Sequence, residues 1–281
     1  MQRLKRAEDG NKKLADTLGI VRKYRGDGLW RQLMAVVSGC ACVLLIGLAF
    51  ATQGRADPLR GPVDTALVVS VDVSSSVDNR RYDLQLQGIA AALEDKGVQQ
   101  AILNGPRGAI LFALVTWSDN PKQDVPWTRI SSPEDARRVA RLVRNVPRNK
   151  GNFTCMGTMM RFLGNKVLAQ IPVQTFRSVI DVSGDGKDNC NPSQSIASIR
   201  DELIGFGAII NGLPILEGRE ANTLQSWYTE NVKGGLGSFI LPAAGFADFG
   251  RAIRQKFVIE ISGYDDAPNT VETAARLSPL R

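Results

Sequence analysis

The stretch Thr65-Ala66-Leu67-Val68-Val69-Ser70-Val71, followed by Asp72-Val73-Ser74-Ser75-Ser76, organises the chain. The apolar run Thr65 to Val71 reads as a strand buried on both faces. Gly61-Pro62-Val63-Asp64 before it is a turn signal, and helical spacing begins at Asp78. One carboxylate and two hydroxyls, Asp72, Ser74 and Ser76, therefore stand where a strand ends and a helix begins. Alternate residues of an extended turn can face the same way, so three oxygens can converge on one hard cation. Ligands bind at the carboxyl ends of strands in open α/β sheets. An all-oxygen set suits Mg²⁺ or Mn²⁺. The same residue types are also ordinary helix caps and turn formers.

Composition removes several classes of chemistry. The chain has 281 residues, 43% of them hydrophobic, enough for one large domain or two small ones. Its net charge of +7 is uneven. Residues 1–56 carry 10 Lys/Arg and 4 Asp/Glu, and residues 57–281 carry 25 and 24, so the excess belongs to the amino-terminal part. Nothing marks a nucleic-acid-binding face. The chain has no histidine, which excludes Ser-His-Asp and Cys-His catalysis and His-ligated zinc.

Residues 1–32 form a basic leader, and Leu33 to Ala51 is a 19-residue run without charge. At about 1.5 Å per residue it can span a bilayer core of about 30 Å. The preceding positive charge orients the leader to the cytoplasm and everything downstream outside. Residues 33–56 read as a signal peptide or a retained membrane anchor. Ala49-Phe50-Ala51 resembles a cleavage site, and Gly54-Arg55-Ala56 is a weaker one. The long leader argues against cleavage. A translation start near Leu29 would leave a compact signal peptide. Val37-Ser38-Gly39-Cys40 fits a lipoprotein box only superficially, because the apolar run continues past it.

A domain over residues 57–262 follows, with a polar tail over 263–281. Strands are expected at 65–71, 108–117, 123–127, 176–182, 208–215 and 238–241. Helices are expected at 78–96, 133–146, 156–169, 192–206, 221–232 and 246–259. In the first helix Tyr82, Leu86, Ile89, Ala90 and Leu93 share one face; the second opens with Ser132 as cap and Pro133 at its first position. The alternation predicts an α/β fold: a doubly wound, mostly parallel sheet with helices on both faces.

Two further loops bear on Asp72. Gly151-Asn152-Phe153-Thr154-Cys155-Met156-Gly157-Thr158 opens a helix, and Ser183-Gly184-Asp185-Gly186-Lys187-Asp188-Asn189 follows a strand. Each alone reads as a capping or solvated turn. Together with Asp-x-Ser-x-Ser, in this order, they resemble the von Willebrand factor A (VWA) family and its metal-ion-dependent adhesion site. The resemblance covers about residues 63–262 and is nearest to a bacterial family of exported VWA-like proteins of unknown function. It implies that Ser74, Ser76 and Thr154 hold Mg²⁺ (or Mn²⁺) through their hydroxyls, Thr154 directly or through water. Asp72 and Asp185 would hold coordinated waters and supply charge. It also implies a protein partner that completes the coordination with an acidic side chain, and a periplasmic or inner-membrane-anchored location. The chain departs from the pattern in Gly-Asn-Phe-Thr, where Gly-Gly-Thr is common, so Thr158 competes with Thr154. It departs again at Gly184, where many members carry Thr or Ser. Asp188 can add charge nearby.

In that fold the second and third loops are neighbours, and they carry Cys155 and Cys190. In an oxidising compartment these two are expected to form a disulfide. Cys40 and Cys42 read as packing residues, as do Trp117, Trp127 and Trp227. Gly234-Gly235-Leu236-Gly237 lacks nucleotide-loop spacing and reads as a turn. Arg137, Arg138, Arg141 and Arg144 read as a solvated helix face. Two functions follow. One is an exported, non-enzymatic module that grips a protein partner through the ion. The other is a metal-dependent phosphohydrolase using Asp72, although the second acid expected two residues on is Ser74.

Overall fold

Strand β1 (Val63–Asp72) is buried along all ten residues. That is what a central strand covered on both faces requires, and it explains the near-continuous apolar run. In a computed structural model of the chain, residues 61–263 are described apart from 192 and 194. The expected leader, the 33–56 segment and the tail beyond Gly263 lie outside the described residues. Among the described residues no helix is long and apolar enough to cross a membrane.

The remaining elements are α1 (Asn79–Glu94), α2 (Lys96–Leu103), β2 (Ile110–Trp117), β3 (Lys122–Ile130), α3 (Pro133–Arg144), α4 (Met156–Phe162), β4 (Thr175–Gly184), α5 (Ile196–Gly205), β5 (Ala208–Pro214), α6 (Ala221–Asn231) and α7 (Phe249–Ser262). The sheet order is β3-β2-β1-β4-β5. β1 pairs in parallel with β2 and β4, and β4 with β5, whereas β3 is an antiparallel edge strand. Alternate residues of β1 feed two cores. Leu67, Val69 and Val71 meet α1, α3 and α7, including Leu86, Ile89, Val139, Ala252 and Phe257. Ala66 and Val68 meet α4, α5 and α6, including Met159, Met160, Leu203 and Leu224. Each such large apolar side chain contributes about 1.5–3 kcal/mol when fully buried.

Local chemistry sets the helix ends. Asp78 caps α1, its carboxylate accepting from Arg81 N at 2.8 Å. Ser132 caps α3, Pro133 opens it, Glu134 and Asp135 lie in its first turn, and Arg141 and Arg144 lie in its last. That order follows the helix dipole.

Several expectations need correction. The helix expected over 78–96 is α1, and a second helix, α2, that was not expected follows it at once. Asp95 ends α1 and caps α2, its side chain accepting from Gly97 N and Val98 N. The helix expected over 156–169 is α-helical only to Phe162, then passes through a π turn (Leu163–Val167) and a 3-10 turn (Leu168–Gln170). The helix expected from 192 begins at Ile196, where Ser195 supplies the cap. The strand expected over 238–241 is not a strand. Ile240 and Ala243 touch β5 and its extension only at single bridges. Gly235 and Gly237, at φ 92° and 74°, turn the chain just before it.

One polar group sits deep in the packing. Lys256 on α7 is fully buried, with Nζ 2.9 Å from Glu260 Oε1 and 3.6 Å from Asp181 Oδ1, and 4.6 Å from the Phe239 ring centre. Burial pushes the Asp181 carboxyl well above the ordinary carboxylate range; Lys256 opposes the shift and Glu260 adds to it.

Candidate metal centre

The site is built where β1 and β4 end. β1 keeps its pairing one residue beyond the strand, with Val73 N donating to Trp117 O at 2.9 Å. The chain then turns, Val77 N donating to Ser74 O at 3.0 Å. Asp72 closes the turn from inside, its Oδ1 accepting from Ser74 N at 2.8 Å. Ser74 is thereby held inward and buried while Ser76 is exposed at the rim. Their hydroxyls lie 3.3 Å apart.

The second loop is pinned from three sides. Asp119 accepts from Asn152 N and Phe153 N. Ser75 Oγ donates to Asn152 O at 3.0 Å. Gly151 lies so close to Ser118 that a Cβ would stand 2.0 Å from Ser118 Oγ, so no larger residue fits. The loop delivers Thr154, whose Oγ1 lies 3.4 Å from Ser74 Oγ. Thr154 is buried, whereas Thr158 is exposed on α4. Thr154 does not cap α4. The cap position is Cys155, which makes no side-chain cap bond, and Asp188 Oδ1 from the third loop accepts from Gly157 N at 3.2 Å instead. Asp188 therefore holds a helix start.

The third loop leaves β4 at Gly184 and presents Asp185, whose Oδ1 accepts from Ser76 Oγ at 2.7 Å. Asn189 joins it to the second loop: its Oδ1 accepts from Thr154 N at 2.8 Å and its N donates to Thr154 O at 3.1 Å. The next residue, Cys190, is bonded to Cys155, next to Thr154, with a Cα–Cα distance of 4.8 Å. All five candidate residues, Asp72, Ser74, Ser76, Thr154 and Asp185, thus converge, and the cysteine pair ties two of their loops together.

The electrostatics ask for positive charge. Burial, then the neighbouring Asp185 charge, pushes the Asp72 carboxyl up to about 7, against the hydrogen bond from Ser74. Burial likewise raises the Asp185 carboxyl, offset in part by the Ser76 bond and by Arg81. Asp72 Oδ2 is buried without a hydrogen-bond partner. Among the described residues no group of three or more His, Cys, Asp or Glu could hold a metal. The inner oxygens here are hydroxyls. Adjacent ligands around Mg²⁺, at bonds of 2.0–2.1 Å, stand about 2.9 Å apart. The hydroxyl separations of 3.3 and 3.4 Å lie within about half an ångström of that, and the donor set fits a small hard cation.

Residues that sequence reasoning did not single out complete the surroundings. Arg81 on α1 donates to Ser76 O and pairs with Glu217 at 2.7 Å, and Glu217 also accepts from Phe246 N. Glu220 Oε2 accepts from Lys187 N at 2.7 Å and steadies the third loop. Both acids come from the β5–α6 connection, which carries no motif. Asn189 stood in a quoted loop without a role, and its pairing with Thr154 has no local signature.

Comparison with known proteins gives a family and a fold. The family model described as "Protein of unknown function (DUF1194)" matches residues 62–265. No curated protein matches. Among solved structures, proximal thread matrix protein 1 from the mussel byssus is similar at 20% identity and a TM-score of 0.50, over 71% of this chain and 46% of that one. The same mussel protein, described with a zinc-occupied MIDAS motif, is similar at 19% identity and 0.51, over 70% and 45%. A von Willebrand factor type A structure from Catenulispora acidiphila is similar at 16% identity and 0.52, over 71% and 43%. The chain spans less than half the length of these proteins. Likeness at such identities concerns the fold, which is the mostly parallel α/β fold of VWA domains.

Proposed function

The chain belongs to the family described as protein of unknown function (DUF1194), and from that footing we propose that it is a VWA-type binding module that engages a protein partner through a divalent metal ion. The observation that carries this reading is the position of Ser74 Oγ, 3.3 Å from Ser76 Oγ and 3.4 Å from Thr154 Oγ1, beside two carboxyls that burial raises and that a cation would hold in their charged form. Ser74, Ser76 and Thr154 would hold the ion, with Asp72 and Asp185 taking its coordinated waters. The zinc-occupied motif of the mussel protein supports a divalent ion, and the all-oxygen donor set favours Mg²⁺ or Mn²⁺. Bound there, the ion supplies a Lewis-acidic position for an acidic side chain of the partner. This chain's own part is to orient three hydroxyls and to place beside them two carboxylates whose charged form burial disfavours and a cation would favour.

A phosphohydrolase reading of the same carboxylates is weaker. A nucleophile must be reachable, and Asp72 is fully buried with Oδ1 committed to Ser74 N. We also propose that the domain works outside the cytoplasm, in the periplasm or held at the inner membrane. Support comes from the uncharged run 33–51 and from the Cys155–Cys190 bond, which suits an oxidising compartment.

Calorimetric titration of Mg²⁺ and Mn²⁺ into the full chain, beside Ser74→Ala and Asp185→Ala, tests the proposal. Binding by the parent that both substitutions abolish is expected. Equal uptake by all three proteins would overturn it.

A further inference from the structure

Two buried polar atoms at the back of the site lack hydrogen-bond partners, and each offers what the other needs. Asp72 Oδ2 is an acceptor and the Tyr228 hydroxyl is a donor; both residues are fully buried and neither atom is satisfied. They flank one glycine. A Cβ on Gly184 would stand 2.9 Å from the Tyr228 hydroxyl and 3.1 Å from Asp72 Oδ2, so the two oxygens are no more than about 6 Å apart. One water, with two O–H···O distances of up to about 3.0 Å, bridges such a span. Tyr228 reaches this point from α6, where it and Leu224 are the buried residues of the helix, and the Trp227 ring meets its own edge-on at 5.8 Å. Burial and the carboxylates of Asp72 and Asp185 raise the phenol's pKa, keeping it in its donating form.

We propose that Tyr228 is a positioning residue for the metal site: its hydroxyl donates across Gly184 to one bridging water, which donates in turn to Asp72 Oδ2. With Oδ1 fixed by Ser74 N, this second hold sets the rotation of the carboxylate about its own axis. Gly184 belongs to the device, because any side chain there would push into both groups. The consequence for metal rests on the reading in the previous subsection; the hydrogen bond itself does not.

The test uses the full chain and two readouts. In chelator, Tyr228→Phe is expected to lower the urea midpoint in the Asp72 background and to leave it unchanged in an Asp72→Ala background. If Asp72→Ala does not fold, Asp72→Asn serves as the reference. In Mg²⁺ titration, Tyr228→Phe is expected to weaken affinity about tenfold, the lower end for groups that orient metal-site residues. Equal midpoint shifts in both backgrounds would overturn the proposal, because Tyr228 would then act by packing alone. So would an undiminished Mg²⁺ affinity in a chain that binds the ion. A parent chain that takes up no Mg²⁺ but keeps the Tyr228–Asp72 coupling would overturn the metal reading and support the hydrogen bond.

Discussion

Ser76 Oγ donates to Asp185 Oδ1 at 2.7 Å, and this one bond closes the loop after β1 onto the loop after β4. A hydrogen bond to a charged group is worth about 1.5–3 kcal/mol, and the exposed rim places this one near the lower figure. Ser76→Ala is therefore expected to destabilise the metal-free protein by about 1.5 kcal/mol and to weaken Mg²⁺ binding by at least about tenfold. Urea unfolding and calorimetry check the two effects. An unchanged affinity would remove Ser76 from the ligand set.

The raised carboxyls give the metal-free protein an unusual pH response. Asp72 titrates near 7 in the folded state and near 3.8 in the unfolded one. Between those values the folded state keeps a proton that the unfolded state has lost, so stability falls as pH rises, by about 4 kcal/mol over the window. Asp185 acts in the same direction. The lowered carboxyls of Glu94, Glu217 and Asp248 act below their ordinary values and leave this window largely untouched. Urea midpoints of the parent and Asp72→Asn in chelator, at pH 5 and pH 8, should diverge, with the variant gaining relative to the parent at pH 8. Saturating Mg²⁺ should offset the parent's deficit at pH 8. A parent that gains on the variant from pH 5 to pH 8 without metal would contradict the assignment.

The Cys155–Cys190 bond closes a segment of 35 residues. Chain entropy puts its contribution at about 4 kcal/mol. Reduction, or Cys155→Ser with Cys190→Ser, should lower stability by that order. It should also weaken metal binding, because the bond sits beside the pairing of Thr154 with Asn189. Titrations with and without reductant separate the two effects. Full metal affinity in the reduced protein would show that the Asn189 contact alone holds the loops.

Lys256 is the cation that lies beside two buried acids, Asp181 and Glu260. Removing one partner from such a group typically costs about 3–5 kcal/mol. Lys256→Met is expected to fall in that range in urea unfolding, and adding Glu260→Gln should recover part of it. A Lys256→Met variant as stable as the parent would show that the buried acids do not need the amine.

Much of the fold is written in local pattern. The β1 run declares its burial by lacking polar alternation, and α3 declares its start through Ser132 and Pro133. The three loops were legible because each site residue lies beside a turn signal at a strand or helix end. What escaped depends on distant partners. Tyr228 sits four residues from Leu224 and reads as packing; only the fold brings it to Asp72. Asp95 serves two helices at once, which the helical spacing alone does not reveal. The segment over 238–241 has strand-like residues but meets its neighbour at single points, because the Gly235 and Gly237 turns set its course.

The central placement of β1 has a mechanical side. The strand runs from Val63 at one end of the sheet to Asp72 at the other, where the candidate site lies, and is laddered along its length to β2 and β4. A load applied between a partner at Ser74 and the chain ahead of Val63 would act along the strand axis, in shear. Both ladders would have to yield together, whereas a load drawing the edge strand β3 sideways would open one pair at a time. Pulling experiments in the two geometries should therefore differ, with the axial one rupturing at the higher force; equal forces would show that β1 does not carry the tension.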